Sequence, residues 1–144
     1  MQYTLQHGNY RIEPVSNHVL KCELSGTFNM EGMEAWIRAM KSSIKQHHNE
    51  PIGLLIDARL YTGGTVEALE KAEQFHEYLI HTSVVAQAHI ISSPTLYQIS
   101  LHLIPSLKLH AVKSFLRMDD ASSWLTEQVE THEKESADKV RHLS

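Results

Sequence analysis

The chain has 144 residues, a length that fits one domain able to bury roughly 68–70% of its unfolded surface without a metal or a disulfide. Its net charge of −4 comes with scattered Lys and Arg, which excludes the clustered basic and aromatic pattern of a nucleic-acid binder. One cysteine, Cys22, excludes an internal disulfide, and the start Met1-Gln2-Tyr3-Thr4-Leu5-Gln6-His7 lacks the basic-then-apolar plan of a signal peptide, so the cytoplasm is the expected location.

In chain order, Tyr10-Arg11-Ile12-Glu13 alternates and predicts a short strand that Pro14 ends or places at a sheet edge. Turn chemistry at Ser16-Asn17 leads into the alternating run His18 to Leu24, the second arm of a hairpin, with Gly26 closing it. Asn29 is a natural helix cap. Behind it Met30, Met33, Trp36, Ile37, Met40 and Ile44 repeat at helical spacing and predict a helix with this stripe in the core. The polar stretch from Lys45 to Glu50, with His47-His48, reads as the end of that helix.

Pro51-Ile52-Gly53-Leu54-Leu55-Ile56-Asp57 is an almost unbroken apolar run and predicts a strand buried on both faces. Ala58-Arg59-Leu60-Tyr61-Thr62-Gly63-Gly64-Thr65 predicts a long loop, with Thr65 capping a helix whose apolar face carries Leu69, Ala72, Phe75, His76, Leu79 and Ile80. Val84 to Ile91 is rich in β-branched residues and predicts another strand.

Ser93-Pro94 opens a third helix with Leu96, Ile99, Leu103 and Ile104 on one face, ended by Pro105. Tyr97 and Leu101 widen its apolar coverage, so it is expected either to be buried on more than one side or to offer a partner surface. The apolar region from Val84 to Leu109 is interrupted by Gln87, His89, Ser92, Ser93, Pro94, His102 and Pro105, so no stable membrane insertion is expected. Ala111 to Leu116 predicts the last strand, and Asp119 caps a final helix burying Ala121, Trp124, Leu125 and Val129. From Thr131 the chain turns polar, which marks a domain over residues 1–130 and a tail or helix extension over 131–144. The order β-β-α-β-α-β-α-β-α predicts an α/β domain: a mixed sheet of about five strands packed with about four helices.

This order carries further markers. Gly26-Thr27-Phe28-Asn29 leads into a helix with Ala35-Trp36; Leu54-Leu55-Ile56-Asp57-Ala58-Arg59 follows, and Phe115, Asp120-Ala121 and Trp124-Leu125 stand near the end. With them the chain resembles the STAS fold of sulfate-transporter domains and anti-sigma-factor antagonists, and more closely the SpoIIAA-like group, which is related in architecture to the CRAL-TRIO lipid-binding domain. The resemblance spans about Tyr10 to Val129 and implies a non-enzymatic regulatory or protein-interaction module. The CRAL-TRIO likeness implies instead a carrier or sensor of a small apolar, lipid-like ligand held between sheet and helices. STAS antagonists carry a phosphorylatable serine in an Asp-Ser-Ser-Gly-like turn after the central strand. The corresponding stretch here, Tyr61 to Thr65, offers the hydroxyls of Thr62 and Thr65 without the serine pair.

Two candidate sites follow. The first is the segment holding Asp57, Arg59, Thr62, Gly63, Gly64 and Thr65, expected beyond the carboxyl end of a central strand, where α/β sheets bind ligands and a helix amino terminus suits an anion. Gly63-Gly64 would let backbone approach a ligand, and Arg59 would meet an anion or a neighbouring carboxylate. The second is Leu96, Tyr97, Leu101, Ile104 and Leu107, a surface for an apolar ligand or for self-association, as in a homodimer.

No cofactor is expected. The eleven histidines lack metal-ligand spacing and read as structural or solvent-facing, with His76 and His81 five apart on different sides of a helix. Asp57 lacks the acidic pair that a receiver-type phosphoacceptor needs for magnesium. An enzyme is not expected either. Cys22 sits mid-strand as a small hydrophobe, Ser92-Ser93 is accounted for by capping, and neither Gly-x-Ser-x-Gly nor a phosphate-binding loop is present.

Overall fold

A computed structural model describes residues 6–47 and 50–143; Met1 to Leu5 and His48, both used above, lie outside the described residues. Five strands, β1 (Asn9–Pro14), β2 (Val19–Phe28), β3 (Ile52–Gly64), β4 (Val84–Ile90) and β5 (Val112–Phe115), form one sheet in the order β1-β2-β3-β4-β5. The hairpin pair β1 and β2 is antiparallel and every later pair is parallel. Four α-helices, α1 (Met30–Lys45), α2 (Val66–Leu79), α3 (Pro94–Leu103) and α4 (Met118–Leu143), connect and follow the strands, with a 3-10 turn over Pro105–Lys108. The fold is therefore the mixed five-stranded α/β sheet that the element order predicts, with β3 at its centre and β1, which ends on Pro14, at its edge.

The alternation of β3 feeds two cores. Leu54 and Ile56 face α1 and α2, where Met33, Trp36, Met40, Ile44, Phe75 and Leu79 complete a large cluster. Leu55 faces the other way, onto Ala86, Ala88, Ile90, Ala121 and Leu125 beneath α4. The small residues on that face let α4 approach closely: a Cβ on Gly53 would lie 2.6 Å from the Leu125 side chain. Asn29 and Thr65 cap α1 and α2 through their side-chain oxygens, which accept from the Gly32 and Ala68 amides.

Four local expectations are corrected. Gly26 does not close β2: at φ +80 it bends the strand, which continues to Phe28. The stretch after Asp57 is strand rather than loop, because Ser25 to Phe28 supply a parallel ladder for Leu60 to Gly64, with two register shifts taking up the extra residues of β3. The third helix is not buried on more than one side: none of the ten residues of α3 is buried. Asp119 lies inside the first turn of α4 instead of capping it, since the Ala121 amide already donates to the Arg117 carbonyl; α4 then runs on to Leu143.

Candidate functional site

Pairing of β4 with β3 stops at Ile90 opposite Asp57, whereas β3 continues to Gly64 with only β2 beside it. This overhang, the amino-terminal ends of α1 and α2, and α3 enclose a cavity of about 360 Å3. The overhang contributes Tyr61, Thr62, Gly63 and Gly64; α1 contributes Met33 and Trp36; α3 and the turn after it contribute Leu96, Tyr97, Ile104 and Leu107. Among the described residues no Asp, Glu, Lys or Arg lines it.

The glycine pair is local chemistry with a purpose. Gly63 adopts φ +113, a backbone state that side chains rarely take, and the Gly64 Cα packs so closely that a Cβ would meet the Phe28 carbonyl oxygen at 3.1 Å. Thr62 bonds Thr27 across the overhang, Oγ1 to Oγ1 at 2.7 Å. Tyr61 packs 5.8 Å from Phe28, and burial raises its phenol pKa.

On the opposite side, α3 is held by its ends. Ser93 caps it by accepting from the Leu96 amide, and past Ile104 the buried Ser106 bonds Glu73 of α2, its amide at 3.0 Å and its hydroxyl at 2.9 Å from Oε2. Ile104 and Leu107 are buried in the main core, while Leu96, Ile99 and Leu103 remain 59, 50 and 51% exposed. Leu101 packs against the core without reaching the cavity wall.

The structure thus brings Thr62, Gly63, Gly64, Leu96, Tyr97, Ile104 and Leu107, drawn from both predicted groups, to one cavity. It does not bring Asp57 and Arg59 there. They lie in a separate open concavity of about 500 Å3 with Glu23, Ser25 and Leu60 and bind each other: Arg59 Nη2 donates to Oδ2 at 2.7 Å and Nε to Oδ1 at 2.9 Å. The guanidinium holds the Asp57 carboxyl below its usual range, so Arg59 meets a neighbouring carboxylate outside the cavity. Thr65 accepts from the Ala68 amide as the α2 cap and is not among the residues lining the cavity.

Sequence reasoning names His76 on its helical stripe and His89 in its strand but does not join them into the polar floor of this cavity. His76 of α2 and His89 of β4 are 5 and 7% exposed and line it, with ring centroids 6.3 Å apart. Tyr97 sets its ring edge-on to His89 at 5.8 Å. Behind them Gln87, fully buried, joins His76, His89 and His110. Burial lowers the pKa of His76 to about 3 and of His89 to about 4, so both are neutral, and it lowers that of His110 as well. The available signal was Gln87-Ala88-His89, two polar residues on one face of an otherwise apolar strand. Cys22 is buried in the core, accepts from the Trp36 indole N–H at 2.9 Å, and has its thiol pKa pushed up to about 12 by burial. Among the described residues no cluster of His, Cys, Asp or Glu is disposed to hold a metal ion, and no helix is long and apolar enough to cross a membrane.

The chain matches no protein-family model and no curated protein at a significant level. Solved structures do resemble it. An uncharacterised protein of the DUF3478 family with a SpoIIAA-like fold, from Shewanella loihica PV-4, superposes with a TM-score of 0.62 at 19% identity, covering 87% of this chain and 98% of that one. An anti-sigma factor antagonist from Mycobacterium paratuberculosis gives 0.60 at 18% identity over 87% of this chain and 99% of its own. The anti-sigma factor antagonist SpoIIAA in its unphosphorylated form gives 0.53 at 11% identity over 92 and 98%. With the strand order, the two cores and the central β3 already described, these likenesses establish that the chain adopts the SpoIIAA-like fold.

Proposed function

We propose that this chain is a non-enzymatic, cytoplasmic regulatory module of the SpoIIAA/STAS type that works by contact through α3 and the β3 overhang. The observation that carries this reading is α3 itself: a helix with Leu96, Ile99, Leu101 and Leu103 in ten residues, not one of them buried. Two proteins of the same fold are named as anti-sigma factor antagonists, and the reading extends that class of role to this chain. The chemistry of the site supports it further. The Cys22 thiol is buried and neutral, Asp57 is neutralised by Arg59, and the Thr65 hydroxyl is committed to a helix cap.

The first partner to test is a second copy of the chain, since an apolar helix face pairs readily with its own twin. Light scattering over a range of protein concentrations should show a reversible dimer. The double substitution Leu96→Glu/Leu103→Glu should abolish the dimer while leaving the circular dichroism unchanged. A chain that stays monomeric throughout, with the variant indistinguishable from it, would overturn self-association through α3.

A second reading is favoured by the cavity. Its volume lies at the lower end of the range for small-molecule sites, and its wall is largely apolar, so we infer a carrier or sensor of a small apolar ligand held between sheet and helices. Native mass spectrometry of freshly purified protein should then retain an adduct of lipid-like mass.

A further inference from the structure

The cavity floor has a fixed polarity that follows from one carbonyl. His110 Nε2 lies 2.9 Å from the Val84 carbonyl oxygen, which can only accept, so that nitrogen carries the hydrogen and the Nδ1 of the neutral ring accepts. Gln87 must therefore present its amide nitrogen to His110 Nδ1, at 3.2 Å, and the same NH2 group reaches His76 Nδ1 at 3.4 Å. With the amide so oriented, Gln87 Oε1 faces His89 Nε2 at 3.0 Å, and that nitrogen donates. Both cavity-lining rings are thereby held in the Nε2–H tautomer.

This leaves one nitrogen on each ring without a protein partner among the described residues: His76 Nε2, bearing a hydrogen, and His89 Nδ1, bearing a lone pair. Neither is sealed away, because no buried side-chain nitrogen or oxygen among the described residues lacks a bond, and both rings form part of the cavity wall. Of the hydroxyls on the cavity walls, Thr62 bonds Thr27, Ser100 donates to the Leu96 carbonyl and Ser93 accepts from the Leu96 amide, while Ser92, Tyr61 and Tyr97 carry the others. Among the described residues no charged side chain lines this chamber, and its floor offers one ring donor, His76 Nε2, and one ring acceptor, His89 Nδ1.

We propose that the cavity selects an apolar molecule with an uncharged head that both donates and accepts a hydrogen bond, such as an alcohol, a primary amide or a protonated carboxylic acid. The His76 Nε2–H gives to the head and His89 Nδ1 receives from it. An ester satisfies only His76. An alkylammonium would bury a charge with no carboxylate in the lining to meet it. The inference rests on the reading of the cavity as an apolar-ligand site and adds the chemistry of the head.

The test is displacement of the fluorescent probe N-phenylnaphthylamine from the full chain at about pH 7.5 by octanamide, octanol, octanoic acid, methyl octanoate and octylamine. Octanamide and octanol should bind about tenfold more tightly than methyl octanoate, the worth of one further hydrogen bond, and octylamine more weakly still. Octanoic acid should gain affinity as the pH falls toward 5, because it must enter protonated, which separates an acid ligand from an alcohol or an amide. His89→Phe should reduce the preference for octanamide over methyl octanoate to about one. NMR of the histidine ring nitrogens in the unmodified protein makes the same test without a substitution: octanamide should move His76 Nε2 and His89 Nδ1 and leave His110 in place. Equal binding of methyl octanoate and octanamide, or unmoved His76 and His89 signals, would overturn the head chemistry while the apolar-ligand reading stands. Failure of the probe and of every compound to bind would overturn both.

Discussion

Helices α1 and α3 border the same cavity and come to opposite arrangements. Helix α1 sets Met33, Trp36, Met40 and Ile44 into the core; α3, with a comparable supply of apolar side chains, buries none. The difference lies in what stands opposite each. Trp36 meets Cys22 of β2 and the ring of Phe75, edge-on at 5.3 Å, so the face of α1 has core partners even where Met33 and Trp36 reach the cavity wall. Opposite α3 the sheet runs out, because β4 has ended and β3 goes on alone with β2. Apolar periodicity thus specifies which face of a helix turns inward, and the length of the neighbouring strands decides whether anything is there to receive it.

The sharpest way to break this comparison is to remove the anchor of the filled side. Trp36→Ala leaves a large void and deprives the buried Cys22 sulfur of its donor, so urea unfolding should show a loss of about 3–5 kcal/mol. A loss below about 1 kcal/mol would mean that the α1 face is as loosely held as α3.

The floor under α3 should give the next largest effect, through pH. His76 and His89 are neutral in the fold with pKa values near 3 and 4, whereas in the unfolded chain they titrate at about 6.5. Protons therefore bind the unfolded state preferentially below about pH 6.5. The stabilisation is complete above that pH and is lost as the pH falls toward the folded values, by about 1.4 kcal/mol per pH unit for each ring. Denaturation at pH 7.5, 6 and 5 should show this slope, and His89→Phe should reduce it by one histidine's share. A flat profile over that window would mean that the rings are open to water and the floor is not as described.

The same contrast explains how far the sequence could be read. Strand β3 was legible because Ile52 to Ile56 is an unbroken apolar run, and the caps at Asn29, Thr65 and Ser93 because a short polar side chain stands just ahead of a helical stripe. The overhang was not. Gly63-Gly64 has the composition of a loop, and only the partner segment Ser25 to Phe28, some thirty-five residues earlier, makes it a strand. Proximity in sequence groups residues 57 and 59 with the glycines, yet alternation and a register shift turn Asp57 and Arg59 away from the cavity. Gln87, His76, His89 and His110 are spread over α2, β4 and the segment before β5, so their network exists only once the sheet is assembled.

The smallest effect belongs to α3, and it is the most diagnostic. Leu103 is 51% exposed, so folding withdraws only about half of its surface from water and truncation to Ala loses correspondingly little. Leu103→Ala should cost about 1 kcal/mol, against the several lost at Trp36. Amide exchange should follow the same ordering, with protection in α1 approaching that of global unfolding and protection in α3 well below it, since along its length α3 has only the partly buried Leu101 and the Tyr97–His89 ring contact to hold it between Ser93 and the Ser106–Glu73 contact. If Leu103→Ala cost as much as a core truncation, α3 would be closed onto the sheet in solution and the cavity would have no room for a ligand. A small cost together with fast exchange means that a ligand can enter by displacing α3 without unfolding the core beneath it.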